Sequence, residues 1–119
     1  MELYWYKALI SRIVDGDTVE ADVDLGFRIR QKMMLRLYGI DAPELIAQNP
    51  EPGRKAKEFL AKLVEGKEIV IQTFKDKGDK YGRMLAELYV VPVDKTDKVS
   101  VNRIMVDAGY AVIYLGGPK

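Results

Sequence analysis

The first third of the chain alternates apolar and polar residues, and a helical rhythm replaces that alternation only further along. Residues 3–14 are rich in aromatic and β-branched side chains and run into the turn signal Asp15-Gly16, which predicts a strand followed by a turn. Thr18-Val19-Glu20-Ala21-Asp22-Val23-Asp24 alternates as a half-buried strand does. Leu25-Gly26 then turns the chain into a third strand, at about residues 28–38, which Gly39 breaks. After a Pro- and Gly-containing loop at 49–53 the period changes. Ala56, Phe59, Leu60, Leu63 and Val64 recur at i, i+3, i+4 and predict a helix over about 54–65, with Gly66 as a left-handed stop. Two further strands follow at 68–74 and 84–91, joined by a charged loop at 75–83. A polar connection at 92–98 leads to a short helix capped by Ser100 and ended by Gly109, with Ile104 and Met105 on its buried side. Residues 111–115 read as a strand-like tail. Three strands, a helix and then more strands predict an α+β, mainly β fold, a five-stranded Greek-key barrel of the OB type with two helices. With 119 residues, no internal repeat and no low-complexity tract, residues 1–119 are expected to form one domain.

Composition narrows the chemistry more than it narrows the fold. The chain contains neither Cys nor His. Disulfides, thiolate or imidazole metal sites, cysteine nucleophiles and Ser-His-Asp hydrolysis are therefore excluded. Acid–base or metal chemistry must come from Asp, Glu, Lys, Arg or Tyr, and carboxylate sites favour calcium or magnesium over softer ions. A net charge of +1 provides no broad field to attract a polyanion, so a nucleic-acid partner would need a local patch. No apolar run approaches the ~18 residues of a membrane span, so no membrane partner is expected. The N-terminal residues lack the pattern of a secretory leader. The expected compartment is cytoplasmic, or extracellular if a leader was removed.

Four segments hold residues suited to phosphate chemistry: Asp15-Gly16-Asp17-Thr18, Arg36, Asp41-Ala42-Pro43-Glu44 and Asp79-Lys80-Tyr81-Gly82-Arg83. Each also has an ordinary reading. Asp-Gly between two strands is a hairpin turn. A calcium-binding EF-hand loop fails here, because Val19 and Glu20 stand where an oxygen ligand and Gly are needed. Arg36 lies among Met33, Met34, Leu35 and Leu37, so burial would require an anion, either an internal carboxylate or a phosphate. Pro43 stiffens a loop that presents Asp41 and Glu44, which would otherwise be an acidic surface loop. The fourth segment is a solvated hairpin tip or a phosphate-binding edge, with Tyr81 able to stack.

The order and spacing of these segments distinguish them from isolated motifs. The chain resembles the staphylococcal-nuclease (thermonuclease) family, whose hallmark is Asp-Gly-Asp-Thr, a strand Arg, Asp-x-Pro-Glu and Asp-Lys-Tyr-Gly-Arg. Gly53 and Ala56 at the first helix, and Val101-Asn102 with Gly109 at the second, extend the likeness over nearly the whole chain. The resemblance implies an OB-type barrel and Ca²⁺-dependent cleavage of DNA and RNA, with single-stranded or open regions preferred. Carried over, Asp17 and Asp41 would ligate calcium by side chain and Ala42 by its backbone carbonyl, in place of the family's common Thr. Glu44 would activate water, Arg36 and Arg83 would grip the phosphate, and Lys80, Tyr81 and, more loosely, Tyr114 would hold substrate. Asp15 and Thr18 would support the site. The hairpin between Asp17 and Arg36 looks longer than in the well-known secreted member, and the loop after Glu44 shorter. The family's third, C-terminal helix is absent from this sequence, so the barrel surface it covers would be met by Trp5 or by a second subunit. A monomer is expected, with a dimer as the alternative.

Two other functions fit an OB-type barrel. One is a catalytically inactive module binding single-stranded nucleic acid; the other is a protein-interaction barrel. The first does not need the complete acid–arginine set this chain carries.

Overall fold

A computed structural model describes residues 4–45, 48–78, 82–91 and 97–114, with the backbone alone at 75–78. Strand β1 (Trp5–Asp15) turns at Gly16-Asp17 into β2 (Thr18–Gly26), and a second hairpin leads to β3 (Ile29–Leu37). A two-residue strand β4 (Ile40–Asp41), helix α1 (Glu51–Val64), β5 (Glu68–Gly78) and β6 (Met84–Val90) follow. Short β7 (Val99–Ser100), helix α2 (Val101–Asp107) and β8 (Val112–Ile113) complete the described elements.

The main sheet runs β3-β2-β1-β5-β6-β7, and a β3–β6 pairing closes it. All its ladders are antiparallel except β3–β6, which is parallel at Leu35↔Met84, Arg36↔Leu85 and Leu37↔Ala86. The result is a closed five-stranded OB-type barrel with two helices, as the pattern predicts. Alternating inward residues fill it: Ala8 and Ile10 from β1, Val19, Ala21 and Val23 from β2, Leu35 and Leu37 from β3, Ile69 and Ile71 from β5, and Ala86 and Leu88 from β6. In β1 the inward phase slips from Ile10 to Ile13, because the register shifts between Ile10 and Arg12.

Helix α1 covers the barrel with Ala56, Leu60 and Val64, and Phe59 stacks on Tyr110 beyond α2 at 4.4 Å between ring centres. The helix begins at Glu51, earlier than periodicity predicts. Pro52 and Gly53 read as loop residues, but Pro is tolerated in a helix's first turn, where amide donors are unpaired in any case. Gly53 has a packing role there, since a Cβ would lie 2.6 Å from the Glu44 carbonyl oxygen.

Helix α2 keeps the predicted cap, the Arg103 amide donating to the Ser100 hydroxyl at 3.2 Å. Met105 is fully buried; Ile104 is half-buried. Gly66 and Gly109 take the left-handed conformations expected of helix stops. Asn102 is a buried pin. Its amide donates to the carbonyls of Tyr38 and Ala86 at 2.9 and 3.2 Å, and its oxygen accepts from the Leu88 amide at 3.1 Å. It thereby fixes α2 across the β3–β6 seam.

Strand β5 extends to Gly78, into a stretch whose charge predicts loop. Its pairing with β6 is interrupted after Thr73 and resumes at Gly78↔Met84, a backbone event that side-chain polarity does not report. The tail strand is shorter than predicted and pairs with β4. Among the described residues no helix is long and apolar enough to cross a membrane.

Candidate functional site

The β1–β2 turn, the end of β3, the β4 strand and the start of β6 meet at one place because of the barrel's register. Thr18 pairs with Arg36 across β2–β3, and Arg36 is level with Leu85 across the parallel seam. Arg83, just before β6, therefore arrives beside Thr18. Gly39, with φ of 81°, breaks the chain after β3 and returns Asp41 towards the same point.

Small residues make the approach possible. A Cβ on Gly16 would lie 2.7 Å from the Ala56 Cβ and 2.8 Å from that of Ala42. Gly16, Ala42 and Ala56 thus let helix α1 and the Asp41-Ala42 loop close over the Asp15-Gly16-Asp17 turn.

The side chains form one bonded group. Arg36 lies 3.4 Å from Asp17 Oδ2 and 3.4 Å from Asp41 Oδ1, and also donates to the Leu37 carbonyl at 2.9 Å. Its side chain is only 11% exposed, and the anions it meets in this structure are two internal carboxylates. Asp17 Oδ2 accepts from the Ala42 amide at 2.9 Å, and Oδ1 accepts from the Thr18 hydroxyl at 3.2 Å. The Thr18 hydroxyl in turn accepts from Arg83 Nη1 at 3.1 Å. Asp15 Oδ1 accepts from the Asp17 amide at 3.1 Å.

Burial pushes the Asp17 carboxyl up to about 6. The neighbouring Asp15 adds to that rise, while the Ala42 amide and Arg36 oppose it without cancelling it. Asp17 is thus a carboxylate whose negative charge is only partly compensated by its surroundings.

The structure brings together Asp15, Asp17, Thr18, Arg36, Asp41, Ala42 and Arg83. Glu44 follows on the same loop with an exposed side chain, and among the described residues nothing bonds it to the group. Tyr114 is placed by its amide, which donates to the Gly39 carbonyl at 2.8 Å and continues the β4–β8 ladder. Lys80 and Tyr81 lie outside the described residues. Sequence reasoning misses the Leu37 carbonyl, which anchors Arg36, and Gly16, whose absent Cβ admits its neighbours. A glycine followed by two distant alanines is the only trace of the latter in the sequence.

The donor set is chemically suited to a hard divalent cation: the Asp17 and Asp41 carboxylates and the Ala42 backbone are all-oxygen donors, and a cation would relieve the buried charge of Asp17. Among the described residues no three acidic, His or Cys side chains gather closely enough to make a ready-made metal site. Arg36, held between the two aspartates, supplies their counter-charge.

Comparison with known proteins identifies the family of the chain. Residues 34–118 match the family described as staphylococcal nuclease homologue. An uncharacterized protein of Bacillus anthracis is 32% identical over 111 residues, covering 90% of this chain and 47% of its own length. The thermonuclease of Staphylococcus intermedius is 33% identical over 85 residues, covering 69% of this chain and 48% of its own. That of Staphylococcus hyicus is 31% identical over 88 residues, covering 71% and 48%. The chain spans about half the length of each of these relatives. Since the match covers well over half of the sequence, and the barrel is the OB type, the chain belongs to the staphylococcal nuclease homologue family.

Proposed function

We propose that this chain is a Ca²⁺-dependent phosphodiesterase that hydrolyses DNA and RNA, with single-stranded or open regions preferred. The observation that carries the reading is the group Asp17–Arg36–Asp41 with Arg83 on the Thr18 hydroxyl beside it. Two acids and two guanidiniums at one point serve no core-packing purpose, and they suit a phosphate diester bound with a hard cation.

In this reading Asp17, Asp41 and the Ala42 carbonyl would hold the ion, which when bound would supply Lewis-acid polarisation of a phosphate oxygen. Glu44, exposed to solvent, takes the proton of the attacking water; without His, a carboxylate is the available base. Arg36 and Arg83 donate to the equatorial phosphate oxygens as negative charge gathers there, each such donor being worth about 3 kcal/mol. Asp15 holds the turn through the Asp17 amide, and Thr18 positions Arg83. Lys80, Tyr81 and Tyr114 would hold the neighbouring nucleotide. The site and the functions above are expected of residues 1–119 acting as one domain.

A second reading, an inactive barrel that binds single strands, draws support from Arg36, whose guanidinium already sits between Asp17 and Asp41 where a cation's charge would otherwise be needed. Calcium titration against a labelled single-stranded oligonucleotide separates the two. Hydrolysis should appear with calcium, vanish with chelator and fall about 10²–10⁴-fold in Glu44→Gln. Binding without cleavage in any divalent metal would leave the second reading standing.

A further inference from the structure

The β2–β3 hairpin carries a feature that the active-site reading does not use. Gly26, Phe27 and Arg28 all have left-handed backbones, with φ of 83°, 56° and 65°. Gly26 and Ile29 are register partners, so Phe27 and Arg28 are the two central residues of a tight turn. Such a turn favours Asn-Gly, because at positive φ a Cβ crowds the backbone carbonyl, a strain that Gly lacks and Asn tolerates better than most residues. The Phe27 ring is 95% exposed and Ile29 is 54% exposed. A strained backbone and an uncovered aromatic ring at one spot contribute nothing to the barrel, and costs of this kind persist mainly where they serve binding or catalysis.

The position of this tip is informative. On the outward face of the hairpin Thr18↔Arg36 is followed by Glu20↔Met34, Asp22↔Lys32 and Asp24↔Arg30. One continuous sheet face therefore leads from the candidate site to the tip, over about 25 Å at the usual strand rise. Most of the acids on that face are countered. Arg12 pairs with Glu20 at 3.3 Å, and Arg30 pairs with Asp22 at 2.9 Å and reaches Asp24 at 3.9 Å. Arg28 has no ion pair or side-chain hydrogen bond among the described residues. Towards the tip from Leu35, β3 pairs only with β2 among the described residues, so this edge is open to a ligand. A bare aromatic ring beside a guanidinium suits a base and its phosphate, and the outer face of strands two and three is where OB-type barrels take oligonucleotides.

We propose that Phe27 and Arg28 form a remote strand-binding tip. Phe27 stacks on a base and Arg28 pairs with a phosphate of the same single strand whose scissile phosphate lies at Arg36 and Arg83. The inference rests on the phosphodiesterase reading and adds a length requirement to it, since only a strand several nucleotides long spans the hairpin.

The test uses two labelled oligodeoxythymidines, a trinucleotide and one of about 12 nucleotides, within the range a single OB barrel accommodates. Binding is measured by anisotropy in chelator and cleavage in calcium. The variants are Phe27→Ala and the double substitution Phe27→Asn with Arg28→Gly, which supplies the pair the turn prefers. Both should weaken binding of the longer strand about 5- to 100-fold and raise its KM with kcat retained. Trinucleotide cleavage should not change, and the double variant should unfold at a higher temperature than the parent, a combination a purely structural role would not produce. If the parent binds and cleaves the longer strand and both variants match it, the tip proposal fails alone. If the parent neither binds nor cleaves either strand, the phosphodiesterase reading fails and the tip proposal with it. Sedimentation with anionic vesicles that Phe27→Ala abolishes, while strand binding stays at parental strength, would overturn the tip proposal in favour of a lipid surface.

Discussion

The two ends of the β2–β3 hairpin share strands and register but treat charge in opposite ways. At the Thr18↔Arg36 end, a guanidinium only 11% exposed is wedged between two carboxylates, and small residues of α1 and the Asp41 loop pack against Gly16 in the adjoining turn. At the Gly26↔Ile29 end the turn is strained, Phe27 faces solvent, and the Arg30 ion pairs are water-exposed. Surface pairs of that kind add little, whereas removing one member of a buried group leaves an uncompensated charge. One end of the hairpin should therefore tolerate substitution and even gain stability from it, and the other should not.

The sharpest way to break the comparison is Arg36→Ala. Loss of the positive charge that lies against both Asp17 and Asp41 should cost about 3–5 kcal/mol in metal-free protein, read by chemical denaturation. A cost like that of a surface substitution would show that the group is solvated and not a buried site.

Asp17 gives the next largest effect. Its folded carboxyl titrates near 6 against an ordinary value of 3.8, so the folded state takes up the proton first as pH falls. At pH 7 the charge must be buried on folding, and that cost is fully present. The cost is relieved as pH falls from about 7 through 4 and is fully gone only below the ordinary carboxylate value, so Asp17 adds stability as pH drops, on the order of 3 kcal/mol in all. The difference in denaturation free energy between the parent and Asp17→Asn, followed in chelator from pH 7 to pH 4.5, should shift in the parent's favour by about 2 kcal/mol of that. Calcium should flatten this dependence, by stabilising the ionised form.

Gly16→Ala ranks third. The added methyl meets Ala56 and Ala42 at separations that force movement, for a loss of about 1–3 kcal/mol. The smallest effect has the opposite sign: replacing Phe27-Arg28 with Asn-Gly should raise stability by about 1 kcal/mol, because the left-handed positions no longer carry bulky side chains. A loss there would mean that the tip packs against something and is not strained.

What the sequence reveals about this molecule follows from which interactions side chains report. The barrel strands are visible because their inward positions (Val19, Ala21 and Val23 in β2, for example) alternate cleanly. Helix stops are visible because Gly66 and Gly109 are needed at positive φ. The start of α1 is obscured, since Pro52 and Gly53 indicate a loop by composition while packing against Glu44 needs the missing Cβ. The extension of β5 to Gly78 depends on backbone pairing alone. At the site, the acids and arginines could be identified individually, and Arg36 is conspicuous among apolar neighbours. Their mutual bonding could not be read, because it depends on the parallel β3–β6 seam, which brings Arg83 to Thr18 from 65 residues away in the chain.

The central claim is that Arg36 serves phosphate chemistry in addition to neutralising Asp17 and Asp41. Arg36→Lys separates the two roles, since lysine keeps the positive charge and loses the planar fork. The measurement is single-turnover cleavage of a labelled single strand at saturating calcium, with the denaturation midpoint recorded alongside. The account predicts a rate about 10²-fold or more below the parent with stability largely retained. Cleavage at the parental rate would contradict it.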